Sequence, residues 1–212
     1  MTKFAVIGAG QVGRNIAAAL LAAGHSVVFG ARNLASENVK KALADLPSAT
    51  AALTEDAVRA SDIAVLATAY PDAVPTVAAL ASALEGKILL DTTNPVGPGL
   101  EHGEGNKSGT ELIQAAAPKS FVVKAFSTIY TEHHASPSFP GYGSLLPTNP
   151  IAGDNAEAKK TVTALLQSLG WEVLDAGNAH DALHLEHITL IFIKQIYVYG
   201  NNRNWTLGLL RK

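Results

Sequence analysis

Short apolar segments alternate with longer amphipathic segments along the first 126 residues of the chain. The apolar segments have the length of strands, and a continuously apolar one such as residues 62–67 is typical of a strand buried on both faces of a sheet. Strands that alternate with helices in this way predict an α/β fold with a doubly wound, mostly parallel sheet and right-handed crossovers.

The predicted elements follow one another closely. Strands are expected at residues 3–7, 26–29, 49–53, 62–67, 87–91, 120–126, 150–153 and 171–174. Helices are expected at residues 14–24, 34–46, 72–84, 109–117, 154–169 and 179–199, with a helical turn at 54–57. Thr54 is the expected N-cap of that turn, and Ser108 with Glu111 has the spacing of a capping box. Residues 131–148 form a long loop, and such loops in compact domains are typically functional or disordered.

This pattern predicts a single Rossmann-type domain over residues 1–212. Residues 1–126 are the expected dinucleotide-binding core. Residues 127–212 are expected to complete the sheet, to form the pocket for a second substrate and to end in a helical extension.

A glycine-rich turn joins the first predicted strand to the first predicted helix. It carries Gly8, Gly10 and Gly13 in the spacing GxGxxG. The first glycine would permit the tight turn, the second would let a pyrophosphate approach the backbone, and the third would let the helix pack close to the strand. The pyrophosphate would lie over the free N–H groups of the helix start. The turn therefore predicts a dinucleotide site; the alternative is a βαβ unit whose glycines serve packing alone.

The end of the second predicted strand distinguishes the two nicotinamide cofactors. Enzymes that prefer NAD usually have Asp or Glu there to bind the ribose 2′-hydroxyl. This chain has Gly30, followed by Ala31, Arg32 and Asn33. No carboxylate would repel a 2′-phosphate, and the Arg32 guanidinium can bind one and stack on the adenine. The sequence predicts NADP(H); the alternative is that Arg32 is a solvated loop residue.

Three loops follow strands on the side of the sheet where ligands bind, which is beyond the carboxyl ends of the strands. They are residues 68–71, 92–97 and 127–130. Asn94 is placed to hydrogen-bond the nicotinamide side of the cofactor; the alternative is an Asn-Pro turn without a ligand role.

Composition excludes several classes of function. The formal net charge of −2 argues against nucleic acid or an anionic membrane surface as the main partner. The absence of cysteine excludes disulfides, thiolate metal sites and cysteine nucleophiles. The sequence contains no uncharged apolar run of about 18 residues, and its first residues read as a strand rather than a signal peptide, so a cytoplasmic protein is expected.

Histidines are concentrated near the last predicted helix. His180, His184 and His187 are spaced by four and three residues, which places them on one face. Imidazoles can bind zinc or iron, but an interface cluster or polar contacts near the second substrate are favoured, and no metal site is predicted. His133 and His134, in the long loop, are expected to be solvated.

The last predicted helix is also the expected dimer element. Residues 188–193 are apolar nearly all round, which is more than one sheet face requires. A homodimer through this helix is predicted.

Taken in order, the motifs resemble the NADP oxidoreductases that depend on the 8-hydroxy-5-deazaflavin coenzyme F-420, and they are similar to the NADPH-binding domain of the STEAP ferric reductases. The resemblance runs nearly from end to end. The matching segments are residues 7–13, 30–33, 91–95, 123–129, 152–154 and 174–177.

The resemblance implies a hydride transfer between NADP(H) and a second redox partner, such as the deazaflavin, a flavin, a quinone or a ferric chelate. It implies cofactor-binding roles for Gly8, Ala9, Gly10, Gln11, Val12, Gly13, Ala31, Arg32, Asn33, Ala67, Ala69, Tyr70, Asn94, Pro95, Ala125 and Ile129. Ser127 and Thr128 would position the reacting groups.

The chain departs from the family pattern at two of these positions. Ala31 stands where Ser or Thr is common, and Ser127 stands where relatives have Asn or His. The sequence shows no Ser-His-Asp arrangement, and direct hydride transfer needs mainly positioning, with the reacting atoms about 3–3.5 Å apart. The alternative function is an NADP(H)-binding sensor or interaction module without turnover.

Overall fold

Six parallel strands form the central sheet of the protein, in a computed structural model that describes residues 1–139, 141–143 and 145–210. The strands are β1 (Lys3–Ile7), β2 (Ser26–Ala31), β3 (Thr50–Leu53), β4 (Ile63–Leu66), β5 (Ile88–Asp91) and β6 (Phe121–Lys124). Their order is β3-β2-β1-β4-β5-β6, and every neighbouring pair is parallel. The predicted doubly wound α/β fold is confirmed.

The strand order reverses between β1 and β4, which creates the crevice where ligands bind in such sheets. Ile7, the last residue of β1, pairs with Gly30 of β2 and with Leu66 of β4. The glycine turn, the end of β2 and the loop after β4 therefore begin at the same level of the sheet.

Helices cover both faces of the sheet. They are α1 (Gln11–Ala22), α2 (Glu37–Asp45), α3 (Thr54–Arg59), α4 (Tyr70–Ala79), α5 (Ala81–Leu84), α6 (Gly109–Ala116), α7 (Ala156–Ser168) and α8 (Ala182–Tyr197). Short 3-10 turns lie at Pro98–Leu100 and Thr131–His133. None of the helices in the described part of the chain has the length and apolar content that a membrane span requires.

Alternate strand residues build two apolar cores, one on each face of the sheet. Phe4 and Phe29 belong to the core that packs against α1, α2 and α7. Ala5 and Val28, their neighbours in sequence, belong to the core that packs against α3 to α6. This burial on both faces explains why the strands are continuously apolar in sequence.

One of the two predicted helix caps is confirmed and the other is wrong. Ser108 and Glu111 form the predicted capping box at the start of α6. The prediction for Thr54 is wrong, because Leu53 occupies the N-cap position of α3 and no side chain caps that helix. The helix expected from residue 34 begins later, at α2, because the Ser36 hydroxyl accepts a hydrogen bond from the Val39 N–H and caps it there.

The C-terminal part contributes a second, smaller sheet. β7 (Thr148–Ile151) and β8 (Glu172–Asp175) pair in parallel with each other and do not extend the six-stranded sheet as expected. A single antiparallel bridge between Lys124 and Ala152 connects the two sheets. Pro150 in β7 has no N–H to donate. The side chain of the neighbouring Asn149 accepts a hydrogen bond from the Phe126 N–H at 2.9 Å.

Candidate functional site

The glycine turn has the backbone geometry that the spacing predicts. Gly8 has a φ of +108°, and a Cβ there would lie 2.5 Å from the Ala67 carbonyl oxygen. A Cβ on Gly13 would overlap the Gly8 carbonyl oxygen. A Cβ on Gly10, by contrast, would meet no protein atom within 4 Å. Two glycines are therefore required by the turn itself, whereas the space above the third is open.

The N-terminus of α1 faces this open space. Gly10 is the N-cap residue, so no side chain caps the helix, and the first turn contains no acidic residue. The first N–H groups of a helix have no partner within the helix, and the helix dipole favours an anion at this end. The turn is thus built to receive a negatively charged group.

A first cavity of about 380 Å³ opens beside the turn, at the carboxyl end of β2. Five of the residues predicted to bind the cofactor line it: Gly8, Ala9, Ala31, Arg32 and Asn33.

The charge of the first cavity follows from the packing of the end of β2. A Cβ on Gly30 would lie 3.2 Å from the Cα of Thr54, so α3 would have to shift slightly to admit any side chain there. Arg32 is exposed at the cavity, and no carboxylate of the described residues lies within ion-pair distance of its guanidinium. A free guanidinium with five N–H donors can bind a phosphate group.

A second cavity of about 230 Å³ lies at the carboxyl ends of β5 and β6. It brings together Val12, Asn94, Ser127 and Ile129 of the predicted site. Aromatic and aliphatic side chains form one part of its lining: Tyr130, Phe192, Ile193, Ile196 and Tyr197. Polar side chains form another part: Thr131, Glu132, His134, Thr189 and Arg203. A cavity that combines apolar walls with polar groups is typical of a small-molecule site.

The polar groups of the second cavity are incompletely bonded. Asn94 donates through Nδ2 to the Ser127 carbonyl at 3.3 Å, and Thr189 of α8 donates to the same oxygen at 2.9 Å. The Oδ1 of Asn94 and the Oγ of Ser127 are buried without a hydrogen-bond partner in the described structure. Unpartnered buried polar atoms are uncommon in native proteins, and a ligand would satisfy these two.

Phe126 is a feature of this site that the sequence reasoning missed. Its φ of +62° is rare for a residue other than glycine, and strain of this kind clusters at functional sites. The Asn149 side chain accepts from its N–H, and its ring packs edge-on against His134 and Trp171. These contacts fix the backbone directly before Ser127. No pattern in the sequence indicates a positive φ at this position.

The remaining predicted residues line neither cavity. Gly10 caps α1 between the two cavities, and Gln11 and Gly13 lie in the first turn of that helix. Ala67 and Ala69 follow β4, and Pro95, Ala125 and Thr128 are buried behind the second cavity. Their predicted roles in binding remain predictions.

The Tyr70 side chain points away from both cavities. Its ring packs on Gly109, where a Cβ would lie 2.6 Å from Cε2. Burial raises the pKa of Tyr70 above its usual value, and the neighbouring Glu104 carboxylate raises it further. The cofactor-binding role of Tyr70 remains a prediction.

A buried ionic network lies directly behind the second cavity, and the sequence reasoning missed it. Lys124 and Asp91 occupy paired positions in β6 and β5, and the Lys124 Nζ lies 3.0 Å from Asp91 Oδ2 and 3.2 Å from Glu186 Oε1. His102 Nε2 lies 2.7 Å from Glu186 Oε2. The signal available in the sequence was a charged residue inside each of two apolar strands.

The histidines are distributed differently from the prediction. His134 is buried rather than solvated, since its ring packs on Phe126, and burial lowers its pKa to about 4. His180 pairs with Glu111, whereas the ring of His187 stacks on His102 at 5.0 Å. Over residues 1–139, 141–143 and 145–210, no group of three or more His, Cys, Asp or Glu side chains is arranged to hold a metal ion.

The middle and the end of α8 face the second cavity. They contribute Thr189 and the apolar wall described above. The chain beyond α8 then folds back, and Trp205 packs against Phe192 and Tyr130. At the mouth of the cavity Arg203 pairs with Glu132 at 2.7 Å, a pair that the sequence reasoning did not identify.

Comparison with known proteins places this site in a family. A family model described as NADP oxidoreductase, coenzyme F420-dependent, matches residues 3–95. A crystal structure assigned as an F420-dependent NADP reductase from Arthrobacter sp. FB24 superimposes with a TM-score of 0.89 at 30% identity, and all of both chains is covered. A hypothetical protein from Sinorhizobium meliloti gives a TM-score of 0.75 at 26% identity, with 100% of this chain and 97% of that chain covered.

A curated relative shows the second resemblance. Metalloreductase STEAP3 from Rattus norvegicus is 31% identical over 189 residues, which is 89% of this chain. The chain spans 36% of the length of that protein. The predicted assignment to the NADP-dependent oxidoreductases is confirmed, and these relatives support NADP(H) as the cofactor. This chain belongs to the family of coenzyme F420-dependent NADP oxidoreductases.

Proposed function

We propose that this chain catalyses hydride transfer between NADPH and a deazaflavin or flavin-like acceptor. One observation carries the proposal: the unpartnered Asn94 Oδ1 and Ser127 Oγ border a cavity that also presents aromatic and aliphatic side chains. Planar redox rings offer apolar faces to such walls and hydrogen-bonding edges to such atoms. The names of the matching family and of the Arthrobacter protein support the choice of acceptor.

The two cavities and the turn between them suit the parts of NADPH. The uncapped start of α1 would bind the pyrophosphate, and the open space above Gly10 would let it approach. The first cavity would hold the adenosine part, with Arg32 on the 2′-phosphate. Asn94 and Ser127 would contact the nicotinamide side at the floor of the second cavity.

The residues of the chain would orient the two reactants and would not take part in the bond changes themselves. NADPH supplies the hydride, so the residues of the second cavity need to hold donor and acceptor in contact and to exclude water. The rings of Tyr130 and Phe192 pack at a tilt, with their centroids 5.0 Å apart, and shield one side of the cavity. Ser127 borders the cavity, and Thr128 is buried next to it, which fits the positioning roles predicted for them.

The decisive experiment follows the oxidation of NADPH at 340 nm with a panel of acceptors: the deazaflavin, FMN, FAD, a quinone and ferric chelates. We expect turnover with the deazaflavin or a flavin, and slower turnover with NADH. Turnover with ferric chelates alone would replace the proposed acceptor with the one that the similarity to a metalloreductase suggests. Tight NADPH binding without turnover of any acceptor would contradict the proposal and favour the sensor.

The preference for NADP(H) gives a mutational prediction. Arg32→Ala should weaken NADPH binding about 10- to 150-fold, because a hydrogen bond to a charged group contributes roughly 1.5–3 kcal/mol. NADH lacks the 2′-phosphate, so its affinity should change less than about threefold. Titration of both cofactors by fluorescence measures the two changes. Arg59→Ala is the control, since Arg59 is exposed on α3 and pairs with Glu55 outside the cavity. Equal losses for the two cofactors would contradict the role of Arg32.

We also propose a homodimer that uses α8. Ile191 is 56% exposed on this helix, and Tyr197 and Val198 at its end are exposed as well. Apolar side chains exposed together are typical of an interface. The mass of the protein in solution would distinguish a dimer from a monomer.

The cytoplasmic location remains a prediction.

A further inference from the structure

We infer that the buried network of Asp91, Lys124 and Glu186 is a positioning device for the hydride transfer, with Lys124 at its centre. The inference rests on the proposed function. Lys124 is completely buried, and its three N–H donors have three acceptors within reach. Besides the two carboxylates, its Nζ donates to the Thr93 carbonyl at 2.6 Å. Thr93 directly precedes Asn94, whose Oδ1 borders the second cavity.

The network holds Thr93 at three atoms. Asp91 Oδ1 accepts from the Thr93 N–H at 2.9 Å and from its hydroxyl at 2.7 Å, and Lys124 binds its carbonyl. The other Asp91 oxygen accepts from the Thr110 hydroxyl at 2.8 Å, so the carboxylate is itself fixed by α6. A residue held at its N–H, its side chain and its carbonyl cannot rotate without breaking buried hydrogen bonds. The orientation of Asn94 follows from that of Thr93.

Helix α8 holds the loops on both sides of the floor of the second cavity. Glu186 binds Lys124, the Gly109 N–H at 3.0 Å and His102. Thr189, three residues later on the same helix, donates to the Ser127 carbonyl. One helix therefore fixes both loops that present unpartnered polar atoms to the second cavity.

Stability alone does not account for this arrangement. Removing charges from water is costly, and well-packed apolar side chains often replace a buried ion pair without loss of stability. The Thr93 carbonyl, however, is held in one position only if a donor lies in a fixed position beside it, and the Lys124 ammonium is that donor. The next residue, Asn94, would contact the nicotinamide, and a displaced nicotinamide would slow hydride transfer.

The test removes the network without leaving a buried charge unpaired. The triple variant Asp91→Asn, Lys124→Met, Glu186→Gln keeps the shapes of the two acidic side chains and most of the length of the lysine. The three replaced side chains are neutral, and Thr93 loses its ammonium donor. We expect kcat to fall about 10- to 100-fold, while KM for NADPH changes less than about threefold. The affinity for adenosine 2′,5′-bisphosphate, which would occupy only the first cavity, should stay within about twofold of the wild type.

A matched control removes a similar lysine elsewhere. Lys159 joins a carboxylate and a carbonyl in the same way, with its Nζ 2.9 Å from Asp175 Oδ1 and 2.9 Å from the Gly177 oxygen, and it lines neither cavity. Lys159→Met should leave kcat within about twofold of the wild type.

The outcomes separate this inference from the proposed function. An unchanged kcat in the triple variant would overturn the inference, and so would a parallel loss of adenosine 2′,5′-bisphosphate affinity, which indicates general damage. If the wild type binds NADPH but reduces no acceptor, the proposed function fails. The fluorescence emission spectrum of bound NADPH then tests the role of the network. A shifted spectrum in the triple variant supports the positioning role, and a spectrum identical to that of the wild type overturns it.

Discussion

Replacing Gly10 with valine is expected to leave the unliganded fold intact and to weaken NADPH binding about 100-fold or more. A Cβ at this position meets no protein atom within 4 Å, and the backbone at φ −71°, ψ −173° is one that valine adopts readily. The new side chain would occupy the space above the uncapped start of α1. That space is where we propose the pyrophosphate lies, so the cofactor and the valine would compete for it.

The expected loss of affinity is large because several interactions fail together. Hydrogen bonds from the helix N–H groups to a charged phosphate contribute roughly 1.5–3 kcal/mol each, so the loss of two lowers NADPH affinity about 100-fold or more. Calorimetric titration with NADPH measures the affinity, and a thermal melt without ligand measures the fold. Binding within about threefold of the wild type would show that the dinucleotide does not cross this turn.

Gly13→Ala is the matched comparison, with the opposite balance of effects. Its Cβ would overlap the Gly8 carbonyl oxygen and lie 3.1 Å from the Val6 side chain. Overpacking of this kind costs typically 1–3 kcal/mol and sometimes more, so the unliganded protein should melt at a lower temperature. The Gly10 substitution should thus affect mainly NADPH binding, and the Gly13 substitution mainly the stability of the fold.

The core of the fold could be predicted because its determinants are local in sequence. Apolar segments such as β1 and β4, helices between them and the glycine turn fix the strand order through right-handed crossovers. The geometry of the glycine turn was predictable for the same reason, since Gly8 and Gly13 lie within the first crossover unit.

The second cavity was less predictable because its parts come from distant segments. Asn94 and Ser127 were identified as loop residues after strands, but the contact between Ser127 and Thr189 spans 62 residues and has no local signature. His134 illustrates the limit: a histidine in a long loop reads as solvated, and only the packing of Phe126 against it shows that it is buried.

The role of α8 also depends on tertiary contacts. Its apolar character led to the prediction of a dimer helix, and its exposed face is compatible with that proposal. Its buried face carries Glu186 and Thr189, which hold the loops on both sides of the second cavity. Helical periodicity predicts that such a face is buried, but it does not indicate which polar groups the face will meet.

The single substitution Lys124→Met should be among the most destabilising in the chain. It leaves Asp91 and Glu186 buried without their shared cation, and removing one partner of a buried ion pair typically costs about 3–5 kcal/mol. The triple variant with Asp91→Asn and Glu186→Gln has no such charge, and we expect it to recover most of the loss. Urea denaturation of the unliganded proteins measures the free energy of unfolding directly.

The comparison between the two variants is more informative than either one. If Lys124→Met alone loses less than about 1 kcal/mol, the carboxylates do not depend on the ammonium, and the network cannot hold Thr93 as inferred. If the single variant is strongly destabilised and the triple variant is stable but slow, stability and turnover have been separated at one site. That result would mean that charge pairing keeps Lys124 in place, whereas its hydrogen bond to the Thr93 carbonyl serves the reaction.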